Sequence, residues 1–330
     1  MAKAGEVAAF EAAFAEYVQA KYAVSFVNGT ATLHTGLMAL GVKPGDKVSV
    51  PCITMASTTI AVLHAGATPN FVDIDPDTWL MKESPTDYSI PVSLFGLCPP
   101  DAASSHSIDD AAQTLRKHGP SAFTSYSFQA SKIISTGEGG MLVTDSEELA
   151  TRARELASLG YRMDAKQPRI DSATLKSPTF NRHHSIGWNY RMAPAVAIEG
   201  SKQLARADEL RVGRHKSADF YRAAVEGCSW IRQQQVPEGW EHDDWAFAVA
   251  LESKEIWLPF VEAIVRHGGE RPYACWRVTY QEPAFRHLAP DGTCPNAENL
   301  QPRLVMFQTN KVESAEKNAE AVSKTIRDID

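Results

Sequence analysis

The chain has 330 residues, 44% of them hydrophobic and 9% aromatic, enough for about two domains around a sizeable core. Lys and Arg total 33 against 40 Asp and Glu, a formal net charge of −7. No run of like charge is long enough for a polyelectrolyte partner, which disfavours nucleic-acid binding. The opening residues, with Glu6 and Glu11, lack the layout of a signal peptide, and no apolar run approaches a membrane span, so a cytoplasmic protein without membrane contact is expected.

Phe10, Phe14, Tyr17, Val18 and Tyr22 recur at helical spacing and predict an amphipathic helix over 6–21. From residue 23 the pattern alternates. A strand at 23–27 leads through Asn28-Gly29 into a helix over 30–40, a strand at 47–51 into a helix over 56–65, and a further strand follows at 70–74. Strands are predicted at 90–94, 105–108, 122–128 and 140–144, and then a helix over 147–159, with Asp145 and Glu148 spaced as a capping box. Such alternation predicts an α/β protein whose mainly parallel sheet has about seven strands. Residues 160–185 are polar and irregular. A long helical region over 194–225 separates this half from a smaller α+β segment, which sets a large domain at 1–212 and a small one at 213–330.

The five cysteines are scattered and never spaced as CxxC, so they read as free thiols, and His183 and His184 read as loop residues rather than metal ligands; no metal is expected. The acidic stretch from Trp240 to Trp245, with Glu241, Asp243 and Asp244, reads as a solvated loop.

Three segments carry groups suited to chemistry. Asn28-Gly29-Thr30-Ala31 is a strand-to-helix turn whose free amides and Thr30 hydroxyl suit a phosphate, although an Asn cap with nothing bound explains it equally well. Asp109 and Asp110 arrive at the carboxyl edge of the sheet, where open α/β folds bind ligands. A solvated loop would account for one of them, while a buried one would keep a pyridine nitrogen protonated. Lys132 lies between an apolar strand and the turn Thr136-Gly137-Glu138-Gly139-Gly140, where an amine can be desolvated and become nucleophilic. The first turn lacks GxGxxG, which sets aside a nicotinamide-binding fold.

The ordered segments VNGTATLHTGLMALGVKPGDKVSVP, ITMASTTIAVLHAGATPNFVDIDPDTW, IDDAAQ, SYSFQASKIISTGEGGMLVTDSEELA and IGWNYRM resemble the DegT/DnrJ/EryC1/StrS family of pyridoxal 5′-phosphate (PLP)-dependent sugar aminotransferases. The resemblance implies an aspartate-aminotransferase-like fold (PLP fold type I), a homodimer with shared active sites, and L-glutamate and a nucleotide-linked keto sugar as substrates. It implies a Schiff base on Lys132, Asp110 at the pyridinium nitrogen, and Gln113 beside the ring oxygen. Gly29, Thr30 and Ser127 match the phosphate cradle, with the Ala31 amide beside them, and Asn189 matches an asparagine sent from the partner subunit. Met55 stands where the family usually has an aromatic residue over the ring, and His183 and Arg191 are candidates for substrate contact. The stretches 82–88, 98–106 and 114–122 are short for the family, and 96–105 is too short for a crossover helix, so one covering helix is expected to be lost. A keto-cyclitol acceptor, or a PLP-binding protein without turnover, are the alternatives.

Overall fold

The computed structural model describes residues 5–99, 104–161, 173 and 176–329. The amino-terminal elements are α1 (Gly5–Tyr17), β1 (Tyr22–Phe26), α2 (Gly29–Ala39), β2 (Lys47–Pro51), α3 (Ser57–His64), β3 (Thr68–Val72) and β4 (Tyr88–Ser89). They are followed by β5 (Leu97–Cys98), β6 (Ile108–Asp110), β7 (Phe123–Ser127), β8 (Gly140–Thr144), α4 (Glu147–Ala157), α5 (Pro194–Leu204) and α6 (Ala207–Val225). The carboxyl-terminal part contributes β9 (Ile231–Gln233), β10 (Glu241–His242), β11 (Ala246–Leu251), α7 (Trp257–Arg266), β12 (Tyr273–Ala274), α8 (Pro295–Leu300), β13 (Leu304–Gln308) and α9 (Val312–Ile329).

Two ladders, β1-β8-β7-β6 and β3-β2-β4, are joined by parallel bridges at Ser89–Ser107 and Val92–Asp110. The result is one seven-stranded order, β3-β2-β4-β6-β7-β8-β1, in which β8 alone runs against its neighbours. The inner strands are closely covered: β8 is buried at every residue and β7 at four of its five, although β6 and β7 carry polar side chains. The predicted strand at 90–94 is not a ladder. Only Tyr88–Ser89 pairs regularly, Val92 makes one bridge, and Leu94–Gly96 turns tightly, with Phe95 at φ 62° and Gly96 at φ 109°. Among the described residues no α-helix connects β4 to β6.

Helix α1 ends at Tyr17, before the predicted 21, and buries Phe10, Phe14 and Val18 against Tyr126 and Phe128. Its buried Glu11 accepts from the Ser25 amide at 2.8 Å and pairs with Arg154 at 2.9 Å, which fixes the helix against β1 and α4. Gly200 of α5 lets the helices touch, since a Cβ there would lie 2.5 Å from the Phe10 ring. The cap of α4 is Ser146, whose hydroxyl accepts from the Leu149 amide. The predicted Asp145 instead accepts from the Lys21 amide, just before β1, and Ser146 occupies the cap position.

The helical region over 194–225 is two helices, α5 and α6. Ala207 and Leu210 of α6 pack with the first lobe, and Ala218, Tyr221 and Val225 pack with β11, β13 and α9 in a separate core over the antiparallel sheet β12-β13-β11-β9. A division near residue 212 would fall inside this helix, between those two sets of contacts, and it stands as a proposal. Among the described residues no helix is long and apolar enough to cross a membrane.

Candidate active site

Asn28 caps α2: its side chain accepts from the Ala31 amide at 2.9 Å, worth about 1 kcal/mol. That bond occupies the Ala31 amide, one of the groups the sequence offered to a phosphate, and leaves Gly29 and Thr30 at the positive end of the helix. Gly29 lies against the end of β7, and a Cβ on it would sit 2.9 Å from Ser127 Cβ and 3.2 Å from Ser127 Oγ. Gly140 is as tight, with a Cβ 2.7 Å from the Asn28 carbonyl. Gly29 and Ser127 therefore meet at a point where residue 29 has no room for a side chain.

Asp110 ends β6 with 5% of its surface exposed. Thr58 Oγ1 donates to its Oδ2 at 3.0 Å and the Ala112 amide to its Oδ1 at 3.2 Å. Burial pushes its carboxyl up, against these two bonds and the nearby Lys132 charge. Asp109 is not solvated either: it is buried, 3.6 Å from Arg116, and accepts from Ser121 Oγ at 3.2 Å. Gln113 is buried, and its Oε1 accepts from the Phe95 amide at 2.5 Å, which leaves the Nε2 amide as its donor.

Lys132 is half-buried in the loop after β7. Burial pulls its amine down to about 8, with Asp110 opposing and Arg214 adding to the fall. Its Nζ lies 4.9 Å from the centre of the Trp245 ring, a cation–π distance. Arg214 and Trp245 were missed in the sequence because they lie more than 80 residues along the chain from the lysine. A cavity of about 500 Å³ opens beside them, lined by Ser131, Arg214, Trp245, Tyr273, Trp276 and Asn310 among others. A cavity of about 600 Å³ lies elsewhere, at Asp109 and Arg116, beside the connection between β4 and β6. The chemistry-bearing groups gather at Lys132, so this second cavity is not assigned to the reaction.

The acidic stretch before β11 is a structural hub rather than a solvated loop. Asp243 is 1% exposed and accepts from the Thr114 hydroxyl at 2.5 Å, the Leu115 amide at 2.7 Å and Arg211 at 2.6 Å. Asp244 is 2% exposed and is held by His215, His242 and Arg222. All of these partners but His242 come from α6 and the β6–β7 connection, so a local reading of the stretch could not anticipate them.

Met55 is 51% exposed, in the turn whose Thr58 holds Asp110. His183, Asn189 and Arg191 are exposed as well. His183 Nδ1 contacts the Leu159 carbonyl at 2.7 Å, and the backbones of Asn189 and Arg191 bridge to Ser158 and Phe26. Within one subunit none of the three is hydrogen-bonded to Lys132, Asp110 or the cradle. All five cysteines are free thiols. Cys52, Cys294 and Asp73 converge within 4.8 Å, but Asp73 is engaged as a cap by the Ile74, Asn296 and Ala297 amides, and the hydrogen bond with Cys294 pushes the Cys52 thiol up.

The sequence profile of the DegT/DnrJ/EryC1/StrS aminotransferase family matches residues 2–90 and 99–327. The chain belongs to this family. A GDP-perosamine synthase of Caulobacter vibrioides is 33% identical over 269 residues, covering 73% of this chain and 68% of that protein. The spore coat polysaccharide biosynthesis protein SpsC of Bacillus subtilis is 33% identical over 270 residues, covering 74% and 66%. The chain thus spans about two thirds of the length of these curated relatives. A crystal structure of an aminotransferase from Psychrobacter cryohalolentis superposes with a TM-score of 0.84 at 25% identity, covering 98% of this chain and 92% of that one. The fold is that of the PLP-dependent aminotransferases of fold type I, and PLP is the cofactor. The residues present fit it: a helix start at Gly29 packed side-chain-free against Ser127, a buried carboxylate, and an amine of lowered basicity.

Proposed function

We propose that this protein transfers an amino group from L-glutamate to a keto sugar, a nucleotide-linked 4-keto or 3-keto deoxysugar, and that it works as a homodimer. The observation that carries the reading is the convergence of Lys132, Asp110 and the Gly29–Ser127 contact at one end of the sheet. The GDP-perosamine synthases among its relatives support the sugar substrate.

When bound, PLP supplies an electron sink for charge on the carbon beside the transferred nitrogen. Gly29 and Thr30, at the start of α2, orient the phosphate with Ser127. Asp110, dry and hydrogen-bonded, holds a proton on the pyridine nitrogen by its negative charge. Lys132, with its amine near 8, is neutral in part of the molecules at neutral pH and moves the proton at that carbon. Gln113, whose Oε1 is taken by the Phe95 amide, would offer Nε2 to the ring oxygen, and Met55 would pack against the cofactor. His183 and Arg191, exposed in one subunit, reach the substrate across the dimer, where the partner subunit's Asn189 completes the phosphate site.

The test is the visible spectrum of wild type and Lys132→Ala with PLP, before and after L-glutamate. A band that depends on Lys132 and bleaches with glutamate is expected, followed by amination of a keto-sugar nucleotide. No Lys132-dependent band would overturn the reading. Isotope exchange from labelled glutamate into 2-oxoglutarate checks the donor, and light scattering checks the dimer.

A further inference from the structure

Arg214 is the most unusual cation in the protein. It lies in the middle of α6 and is 5% exposed, yet among the described residues no carboxylate pairs with it directly. Its guanidinium binds neutral oxygens only. Nη2 donates to the carbonyls of Ser131 and Lys132, each at 3.1 Å, and Nη1 donates to the Trp245 carbonyl at 2.8 Å and Thr309 Oγ1 at 3.1 Å. Burying a guanidinium is costly, and replacing it with an apolar side chain would ordinarily be neutral or favourable. A cation kept there is explained by what it grips.

What it grips is the backbone that carries the reactive amine. The loop closes on itself through Lys132 N to Gln129 O at 2.9 Å, Thr136 N to Phe128 O at 2.9 Å, and Ser131 N and Oγ to Gln129 Oε1, both at 2.8 Å. Those bonds fix the loop's inner edge and leave the carbonyls of 131 and 132 facing outward, where Arg214 takes both. Trp245 takes the first of them again, through Nε1 at 2.9 Å, while its ring lies beneath the Lys132 amine. The ring itself cannot swing freely. It is stacked on Trp276 at 6.0 Å and 14°, and Trp276 is stacked on Phe95 at 6.4 Å and 10°. Phe95 in turn is held through its amide by Gln113.

We propose that Arg214 and Trp245 are positioning residues for the Lys132 amine, Arg214 by fixing the carbonyls of Ser131 and Lys132 and Trp245 by presenting a clamped ring face to Nζ. The inference rests on the reading of Lys132 as the cofactor-bearing amine, and it adds two residues outside the cradle. The charged groups that face the amine are Asp110 from β6 and Arg214 from α6. Arg214 thus has two separable effects, a grip on the backbone and a positive charge that lowers the amine's basicity. Lysine in its place keeps the charge and loses the fork that binds two carbonyls at once.

The experiment compares wild type, Arg214→Lys, Arg214→Met and Trp245→Phe. In the cofactor-free protein, acylation of Lys132 is followed by mass spectrometry across pH, and amide exchange is followed over residues 129–137. With cofactor, the rate at which Lys132 captures PLP is compared with affinity for pyridoxine 5′-phosphate, which has no aldehyde to capture. Arg214→Lys is expected to keep the acylation midpoint, lose exchange protection in the loop, and capture PLP about tenfold more slowly with unchanged pyridoxine phosphate affinity. Arg214→Met is expected to move the midpoint upward as well. Trp245→Phe keeps a ring and loses only the bond to Ser131, so it tests the grip if the Arg214 variants fail to fold, with slower capture expected. Wild-type exchange and wild-type capture in Arg214→Lys and Trp245→Phe would overturn the proposal. Should wild type itself not bind PLP at Lys132, the functional reading falls, and the acylation and exchange arms still decide whether Arg214 positions this amine.

Discussion

Gly29→Ala is the sharpest perturbation of the candidate site. The new Cβ would lie 2.9 Å from Ser127 Cβ, 3.2 Å from its Oγ and 3.5 Å from its Cα. Carbon pairs rest at about 3.5–4.0 Å, so α2 and the end of β7 must part by roughly 0.6–1.1 Å. Overpacking of this kind costs about 1–3 kcal/mol, and the gain from replacing glycine in a helix, up to about 1 kcal/mol, offsets part of it. The cofactor-free protein should therefore lose at most about 3 kcal/mol. Phosphate binding should suffer more specifically, because the groups that part are those that hold the anion. At a ligand concentration of about 100 times the wild-type Kd, binding stabilises wild type by about 2.7 kcal/mol, and a tenfold weaker variant gains only about 1.4 kcal/mol. Calorimetric melting with and without pyridoxine 5′-phosphate reads both quantities, as a ligand-induced rise in Tm about half that of wild type. A rise equal to wild type at the same ligand concentration would refute the cradle as drawn.

Thr58→Val removes the hydroxyl that donates to Asp110 and should cost about 1–3 kcal/mol, push the carboxyl further up, and weaken PLP binding; spectroscopic titration with PLP checks it. Phe14→Ala, in a ring cluster with Phe10, Tyr126 and Phe128, should cost about 3–5 kcal/mol in urea unfolding. Asp244→Asn should cost about 3–5 kcal/mol near pH 6 by taking the buried carboxylate away from His215 and from Arg222, which keeps only Asp219. Burial raises the Asp244 carboxyl, but hydrogen bonds from His215 and His242 and the charge of Arg222 win and hold it well below the carboxylate range. A depressed carboxyl stabilises above its unfolded value of 3.8, and that contribution fades as pH falls through the folded value. His215, raised by its bond to Asp244, stabilises fully below its unfolded 6.5, and that contribution is lost as pH rises through its folded value. The difference between wild type and Asp244→Asn should therefore be widest between about pH 4 and 6.5, as unfolding measured across pH would show.

Much of the fold was legible because its signals are local. The apolar runs at 47–51 and 140–144 are central strands, the Asn28 cap opens α2, and Lys132 stands between a buried strand and a glycine-rich turn. What failed depended on distant partners. Asp243 and Asp244 look like solvent-facing acids until Thr114, Arg211, His215 and Arg222 are brought to them. The apolar segment 90–94 has strand composition, but a tight turn at Phe95–Gly96 leaves it little ladder to join. Ser146 displaced Asp145 as a cap, and the residue just before β1 offered Asp145 a different donor, the Lys21 amide. Arg214 carried no signal in a helix otherwise typical of a surface, since its role is defined by two carbonyls 82 and 83 residues earlier.

The pairing of β1 with β8 also sets a clock on synthesis. Phe26 of β1 is opposite Gly140, 114 positions later by the difference of their numbers, and Tyr22 is opposite Thr144. At roughly 5–20 residues per second a ribosome needs about 6–23 seconds to deliver the partner of a strand it has already released. Throughout that interval a short strand with four of its five residues destined for burial has nothing to pair with. Helix α1, next to it in sequence, waits too, because Tyr126 and Phe128 emerge late. The segment from α1 to β1 thus waits for late partners in the nascent chain, and slowing translation before residue 140 should lower soluble yield more than slowing it afterwards.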